Sequence, residues 1–155
     1  MLVYRIANVK FKDDTLSGIG AEKFGGRWND VGTRAVYCSE NRALSLLEYY
    51  VHSDNVALLP KELLLAVVEI PDNFKILELT KLPDRWKVYP YSTSTTGIFG
   101  KYVKEKNIFA LKVPSTIIPM EYNYILNPLY PEFGKVSVKE FIKIPIDTRL
   151  KTNKK

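Results

Sequence analysis

The stretch AVYCSENRALSLLEYYVH, residues 35–52, decides the fold class. Ala35 to Ser39 has the content of a buried strand, and Asn41 stands where a helix N-cap belongs, its side-chain oxygen placed to accept from a free amide of the first turn. Beyond it, Ala43, Leu44, Leu47 and Tyr50 or Val51 recur at three- and four-residue spacing, which predicts an amphipathic helix over 42–52. The question is whether this strand-to-helix unit repeats along the chain.

It does not. Leu2 to Ile6, interrupted by Arg5, reads as a first strand, and Gly18, Gly20, Gly25, Gly26 and Gly32 then mark a long irregular loop. Leu63 to Ile70 is β-branched and apolar, Lys75 to Leu79 alternates, and the PDN between them predicts a hairpin. Ile98 to Lys106 predicts a short helix introduced by Thr95 or Thr96 and ended by Asn107. Ile108 to Val113 and Thr116 to Ile118 read as strand pieces split by Pro114, and Phe141 to Ile146 as a final strand. Many short strands with few helices, without regular strand-helix alternation, predict an α+β domain of short mixed or antiparallel strands. One compact domain is expected over 1–149, with 150–155 a basic, frayed tail.

Composition narrows the class further. Of 155 residues, 46% are hydrophobic and 26% charged, as in ordinary globular proteins. A lone cysteine, Cys38, forbids an internal disulfide, and with a single histidine, His52, no Cys/His zinc site can be assembled, so no metal is expected. The N-terminus lacks a charged region followed by an apolar one, and no apolar run reaches membrane-spanning length, so a cytoplasmic chain without a membrane partner is expected. The net charge of +6 suits an anionic partner such as a nucleotide, nucleic acid or acidic protein, and equally a solvated basic face. A basic nucleic-acid-binding module is thereby one reading, although no helix-turn-helix, RRM or OB signature accompanies the charge.

Four side chains carry chemistry, each with a plainer alternative. Arg27, in GGRWND, is either a surface loop arginine or a guanidinium held by a glycine-bearing loop and free to fork onto phosphate oxygens. Its neighbour Trp28 is equally a core plug or a stacking platform. Glu48 shares the helix face of Leu44 and Leu47; a carboxylate aimed inward either reaches solvent at the boundary, pairs with a cation, or does chemistry. Tyr37 inside its strand is core packing with a hydroxyl that needs a partner. Ser115, after Pro114, is a loop serine or a ligand-contacting hydroxyl; no Gly-x-Ser-x-Gly elbow surrounds it. Walker A, GxGxxG after a strand, EF-hand and CxxC signatures are absent.

Taken in order, YRI (4–6), GGRWND with Gly32, VYCS, ALSLLEYYVH, VPS and NYILNP (123–128) resemble the RES-domain family, named for an arginine, a glutamate and a serine along the chain. The likeness covers roughly residues 2–146, with WKVYPYSTSTTGIFG (86–100) matching the family's pattern only loosely. The resemblance implies a fold similar to ADP-ribosyltransferases and NAD as substrate, cleaved at the nicotinamide-ribose bond by glycohydrolase or phosphorylase chemistry. Transfer of ADP-ribose to a protein is the alternative. It also implies a toxin neutralised by an Xre-like helix-turn-helix antitoxin, with DNA reached only through that partner. Carried over by position, Arg27, Tyr37, Glu48 and Ser115 form the implied catalytic set, with Arg5, Arg27, Tyr37 and Asn127 binding NAD.

Overall fold

A computed structural model describes residues 1–53, 62–145 and 147. Among them, seven strands form one mixed sheet in the order β4-β5-β6-β2-β1-β3-β7. These are β1 (Leu2–Asn8), β2 (Val36–Ser39), β3 (Glu62–Glu69), β4 (Ile76–Glu78), β5 (Ala110–Pro114), β6 (Tyr122–Leu126) and β7 (Ser137–Pro145). Every pairing is antiparallel except β4 with β5. The helices are α1 (Ile19–Phe24), α2 (Arg42–Val51), α3 (Thr93–Thr96) and α4 (Ile98–Lys106). The expected α+β class is what is found.

Burial explains why the central strands sit where they do. β3 is apolar on both faces and takes long antiparallel partners on both edges, β1 and β7. That arrangement overturns the expected hairpin between Leu63–Ile70 and Lys75–Leu79, because β4 pairs instead with β5 at the far edge. Seven peptide steps from Glu69 to Ile76 reach about 24 Å when fully extended. Five strand spacings of a flat sheet need about the same. Part of that reach is spent in the turn where Phe74 N–H donates to Pro71 O, so the sheet must curl to bring its edges together. Phe74 is buried inside the curl, its ring 4.7 Å from that of Phe109, among Val3, Val36, Val68 and Leu126.

The other face is covered in two places. Leu46, Tyr49 and Tyr50 of α2 pack on Ile6, Leu63 and Leu65, while Ile98, Tyr102 and Val103 of α4 pack on a cluster containing Trp28, Phe99 and Ile125. Leu44 and Ser45 are the buried positions of α2, whereas Ala43, expected on the apolar face, is exposed together with Val51. Between the two covered areas the sheet face is left open, with Tyr37 on its floor.

Three further expectations change. The glycine-rich segment is not wholly irregular, since α1 forms within it. Thr95 and Thr96 do not cap α4; they belong to α3, which Ser92 caps, and Gly97 starts α4 without a side-chain bond. Thr116–Ile118 is not a strand, because the amides of Ile117 and Ile118 both turn back to Ser115 Oγ, at 3.0 and 3.2 Å. The strand lies instead at β6, which sequence reading left unassigned. Asn107 does end α4, in the left-handed region at φ 45°. The tail 150–155, and the end of the final strand at Ile146, lie outside the described residues.

Asn41 caps α2 as its position predicts, accepting the Leu44 amide at 2.8 Å, and its Nδ2 donates to Glu121. Asn41→Ala is expected to lower unfolding free energy by about 1 kcal/mol. A urea titration showing no shift in midpoint would contradict that role.

Candidate active site

The open sheet face is a cavity of about 440 Å³, within the range of roughly 300–1,000 Å³ usual for small-molecule sites. Arg5 and Ile6 of β1, Tyr37 to Ser39 of β2, the inner side of α2, the Gly25–Trp28 loop, Tyr89 and Tyr91 enclose it.

Glu48 lies at the centre of its polar groups. The N-cap sets the phase of α2 so that position 48 faces the sheet, and only 16% of the side chain is exposed. Oε1 accepts from Ser115 Oγ at 3.0 Å and from Asn123 Nδ2 at 2.6 Å. Ser39 Oγ, bonded to Asn123 Oδ1 at 2.6 Å, orients that amide so its nitrogen faces the carboxylate. On the other side, His52 Nε2 stands 3.4 Å from Oε2, one helical turn on. With the proton on Nε2, Nδ1 is left to accept from the Tyr91 hydroxyl at 3.1 Å. Burial pushes the Glu48 carboxyl up, but the bonds from His52, Asn123 and Ser115 outweigh it and hold the group below the ordinary carboxylate range. Glu48 is thus an anion at neutral pH.

Arg27 is placed differently from the expected free fork. The residue is 9% exposed, and its Nη1 donates to the carbonyls of Trp86 and Val88, the latter at 3.0 Å. Its guanidinium also lies 4.9 Å from the Tyr91 ring centre. Burial pulls its pKa down, while Tyr91, Glu48 and Tyr37 oppose that pull, so the cation and the Glu48 anion feel one another across the cavity.

The loop carrying Arg27 is built around Asn29, which is fully buried. Its Nδ2 donates to the carbonyls of Ala21, Asp30 and Thr33, and its Oδ1 accepts from the Tyr37 hydroxyl at 2.7 Å. That hydroxyl also accepts from the Trp28 amide at 3.2 Å. Burial raises the Tyr37 pKa strongly, so the phenol stays protonated. Because the hydroxyl is turned into the loop, Tyr37 borders the cavity with its ring. Trp28 is the core plug of its two readings, 3% exposed and 6.0 Å from Trp86, centre to centre.

The remaining expected residues divide. Arg5 lines the cavity, where Nη1 donates to the Tyr37 carbonyl at 2.8 Å and the buried Nε meets no acceptor among the described residues. Its neighbour Cys38 has its thiol pushed up to about 12 by burial, which removes it as a nucleophile. Ser115 is 4% exposed and reaches the site only through Glu48. Asn127, expected to bind NAD, does not line the cavity: it is buried in the turn after β6, with Oδ1 accepting the Leu129 amide at 3.0 Å. Asn123, Ser39, His52, Tyr89 and Tyr91 are site residues that sequence reading did not assign. For Asn123 the available signal was a polar Asn inside the otherwise apolar YNYIL of β6.

Comparison with known proteins shows the family and the fold. The RES domain family matches residues 2–149. A protein named Toxin Res from Photorhabdus laumondii is 36% identical over 157 residues, covering all of both chains. A protein named Prs ADP-ribosylating toxin from a Sphingobium strain is 33% identical over 144 residues, covering 90% of this chain and 89% of its own. A chain in the crystal structure of the M. tuberculosis MbcT-MbcA toxin-antitoxin complex shares the fold, with a TM-score of 0.73 at 18% identity over 93% of this chain and 84% of that one.

Two glycines test the loop geometry. A Cβ on Gly26 would lie 2.6 Å from the Tyr37 hydroxyl and 2.9 Å from Asn29 Oδ1, whereas one on Gly20 meets nothing within 4 Å. Gly26→Ala is expected to cost about 1–3 kcal/mol by forcing those partners apart. Gly20→Ala, within α1, is expected to be neutral or stabilising by up to about 1 kcal/mol. Equal thermal midpoints for the two variants would contradict the loop as described.

Proposed function

Since the chain belongs to the RES-domain family, we propose that it is the toxin of a toxin-antitoxin pair, binding NAD and cleaving its nicotinamide-ribose bond. The observation that carries this reading is the ionised Glu48 carboxylate held in a cavity across from a buried guanidinium. When the bond breaks, its electron pair leaves with nicotinamide, which departs neutral, and positive charge develops on the ribose ring. A fixed carboxylate beside that ring stabilises the charge without reorganising at the moment of reaction. Ser115, Asn123 and His52 hold Glu48 rather than touch substrate; they keep it charged and aimed. Arg27, with Nη1 committed to the Trp86–Val88 backbone, would present its other nitrogens to a phosphate oxygen. Binding energy gathered there positions the ribose.

The acceptor of the ADP-ribosyl group is water, inorganic phosphate or a protein side chain. Transfer to a protein is the second reading, favoured by the 33% identity to a relative named as ADP-ribosylating. The proposed partner is an Xre-like helix-turn-helix antitoxin, through which alone the toxin would meet DNA; a relative of the same fold is seen in a toxin-antitoxin complex. No described helix is long and apolar enough to cross a membrane, and the cytoplasm, where NAD is available, is the proposed place of action.

The test is release of free nicotinamide from NAD by the purified chain, with and without phosphate. Glu48→Gln keeps the shape but not the charge and is expected to lower kcat by about 100-fold or more. Nicotinamide no higher than background with the wild-type chain, in either buffer, would overturn the reading.

A further inference from the structure

At the cavity mouth stands Tyr89, 70% exposed although it borders the cavity. An exposed tyrosine is ordinary; one braced by a second ring at the rim of a pocket is not. Tyr89 meets Tyr91 edge to face, ring centres 5.4 Å apart at 84°. Tyr91 is itself fixed at both ends, by the His52 ring nitrogen through its hydroxyl and by the Arg27 guanidinium against its ring. Arg27 Nη1 in turn clasps the carbonyls of Trp86 and Val88, the latter directly preceding Tyr89. The backbone just before Tyr89 and one side of its ring are therefore braced by groups of the cavity, while most of the residue stays exposed. Val51, 58% exposed, adds apolar surface to the same rim.

We propose that Tyr89 is the platform on which a planar heteroaromatic base of the substrate stacks, which makes it a substrate-binding residue of this site. The inference rests on the NAD reading and adds to it the place of one base. Stacking on a preorganised ring incurs little ordering entropy and tolerates either base, since both adenine and nicotinamide present a π-face. The geometry also makes Arg27 do two tasks at once. The nitrogen that clasps the Trp86–Val88 carbonyls sets the platform, and the same guanidinium faces the cavity where a phosphate would lie. A base on Tyr89 and a phosphate on Arg27 would then be neighbours, as they are in a nucleotide.

The experiment is equilibrium titration of the full chain with three probes, NAD, adenosine monophosphate and nicotinamide mononucleotide, for wild type, Tyr89→Ala and Tyr89→Phe. Because Tyr89 is exposed, both variants are expected to melt with the wild type, which a thermal scan verifies. Tyr89→Ala is expected to weaken NAD binding about tenfold or more, and Tyr89→Phe to retain it. Loss confined to adenosine monophosphate places adenine on the ring; loss confined to nicotinamide mononucleotide places nicotinamide there. Unchanged affinity of Tyr89→Ala for all three probes would overturn the platform. Nicotinamide release is followed in parallel: wild-type binding that depends on Tyr89, without any release, supports the platform and sinks the cleavage reading. Release by a Tyr89→Ala chain with wild-type KM does the reverse.

Discussion

A carboxylate withdrawn from water must be compensated by donors or take up a proton, and at Glu48 the donors outweigh the burial. Three side chains from three different elements converge on it: His52 at the end of α2, Asn123 in β6 and Ser115 after β5. Asn123 and Ser115 are useful only if the sheet brings β5 and β6 beneath the helix, so the charge of one side chain depends on the register of the sheet. β2 pairs with β6 with Ser39 opposite Asn123, which is why the Ser39 hydroxyl can orient the amide that faces Glu48. Leaving any one of these donors out would leave a buried anion short of a partner, a far larger cost than the bond itself is worth.

The cation side of the cavity is built by a different device. Asn29 satisfies three loop carbonyls and the Tyr37 hydroxyl at once, which shapes an otherwise irregular segment around one amide. Gly26 leaves the space the phenol needs. The arginine that follows is then delivered to the Trp86–Val88 backbone, tying the glycine-rich loop to the segment that bears Tyr89 and Tyr91. The two halves of the site meet at Tyr91, which contacts both His52 and Arg27. Acid and guanidinium are thus positioned as one network.

Much of this was legible in the residues, for identifiable reasons. Helical periodicity and the Asn41 cap located α2 and hence the inward phase of Glu48, since both signals are local. The resemblance singled out Arg27, Tyr37 and Ser115: Ser115 donates to Glu48, while Arg27 and Tyr37 line the same cavity as Glu48 without bonding to it. What failed was non-local. Nothing between Leu63 and Leu79 announces that β3 wants partners on both edges, or that Phe74 will be buried and carry the chain across the curl. Thr116–Ile118 has strand composition, yet a single serine hydroxyl claims two of its amides. Asn127 and Asn123 are alike in sequence; only the turn after β6 shows that the first serves the backbone and the second serves the site.

Everything turns on Glu48 being an anion in the folded chain. The direct measurement is a carbon-13 NMR titration of its side-chain carboxyl in the folded protein. A midpoint below the ordinary glutamate value of about 4.3 is expected. Its bonds would then stabilise the fold at pH values above that ordinary value, and the contribution would be lost as pH falls through the depressed midpoint. A midpoint at or above the ordinary value would mean that burial wins over the three donors, and the charge-stabilising role assigned to Glu48 would fail.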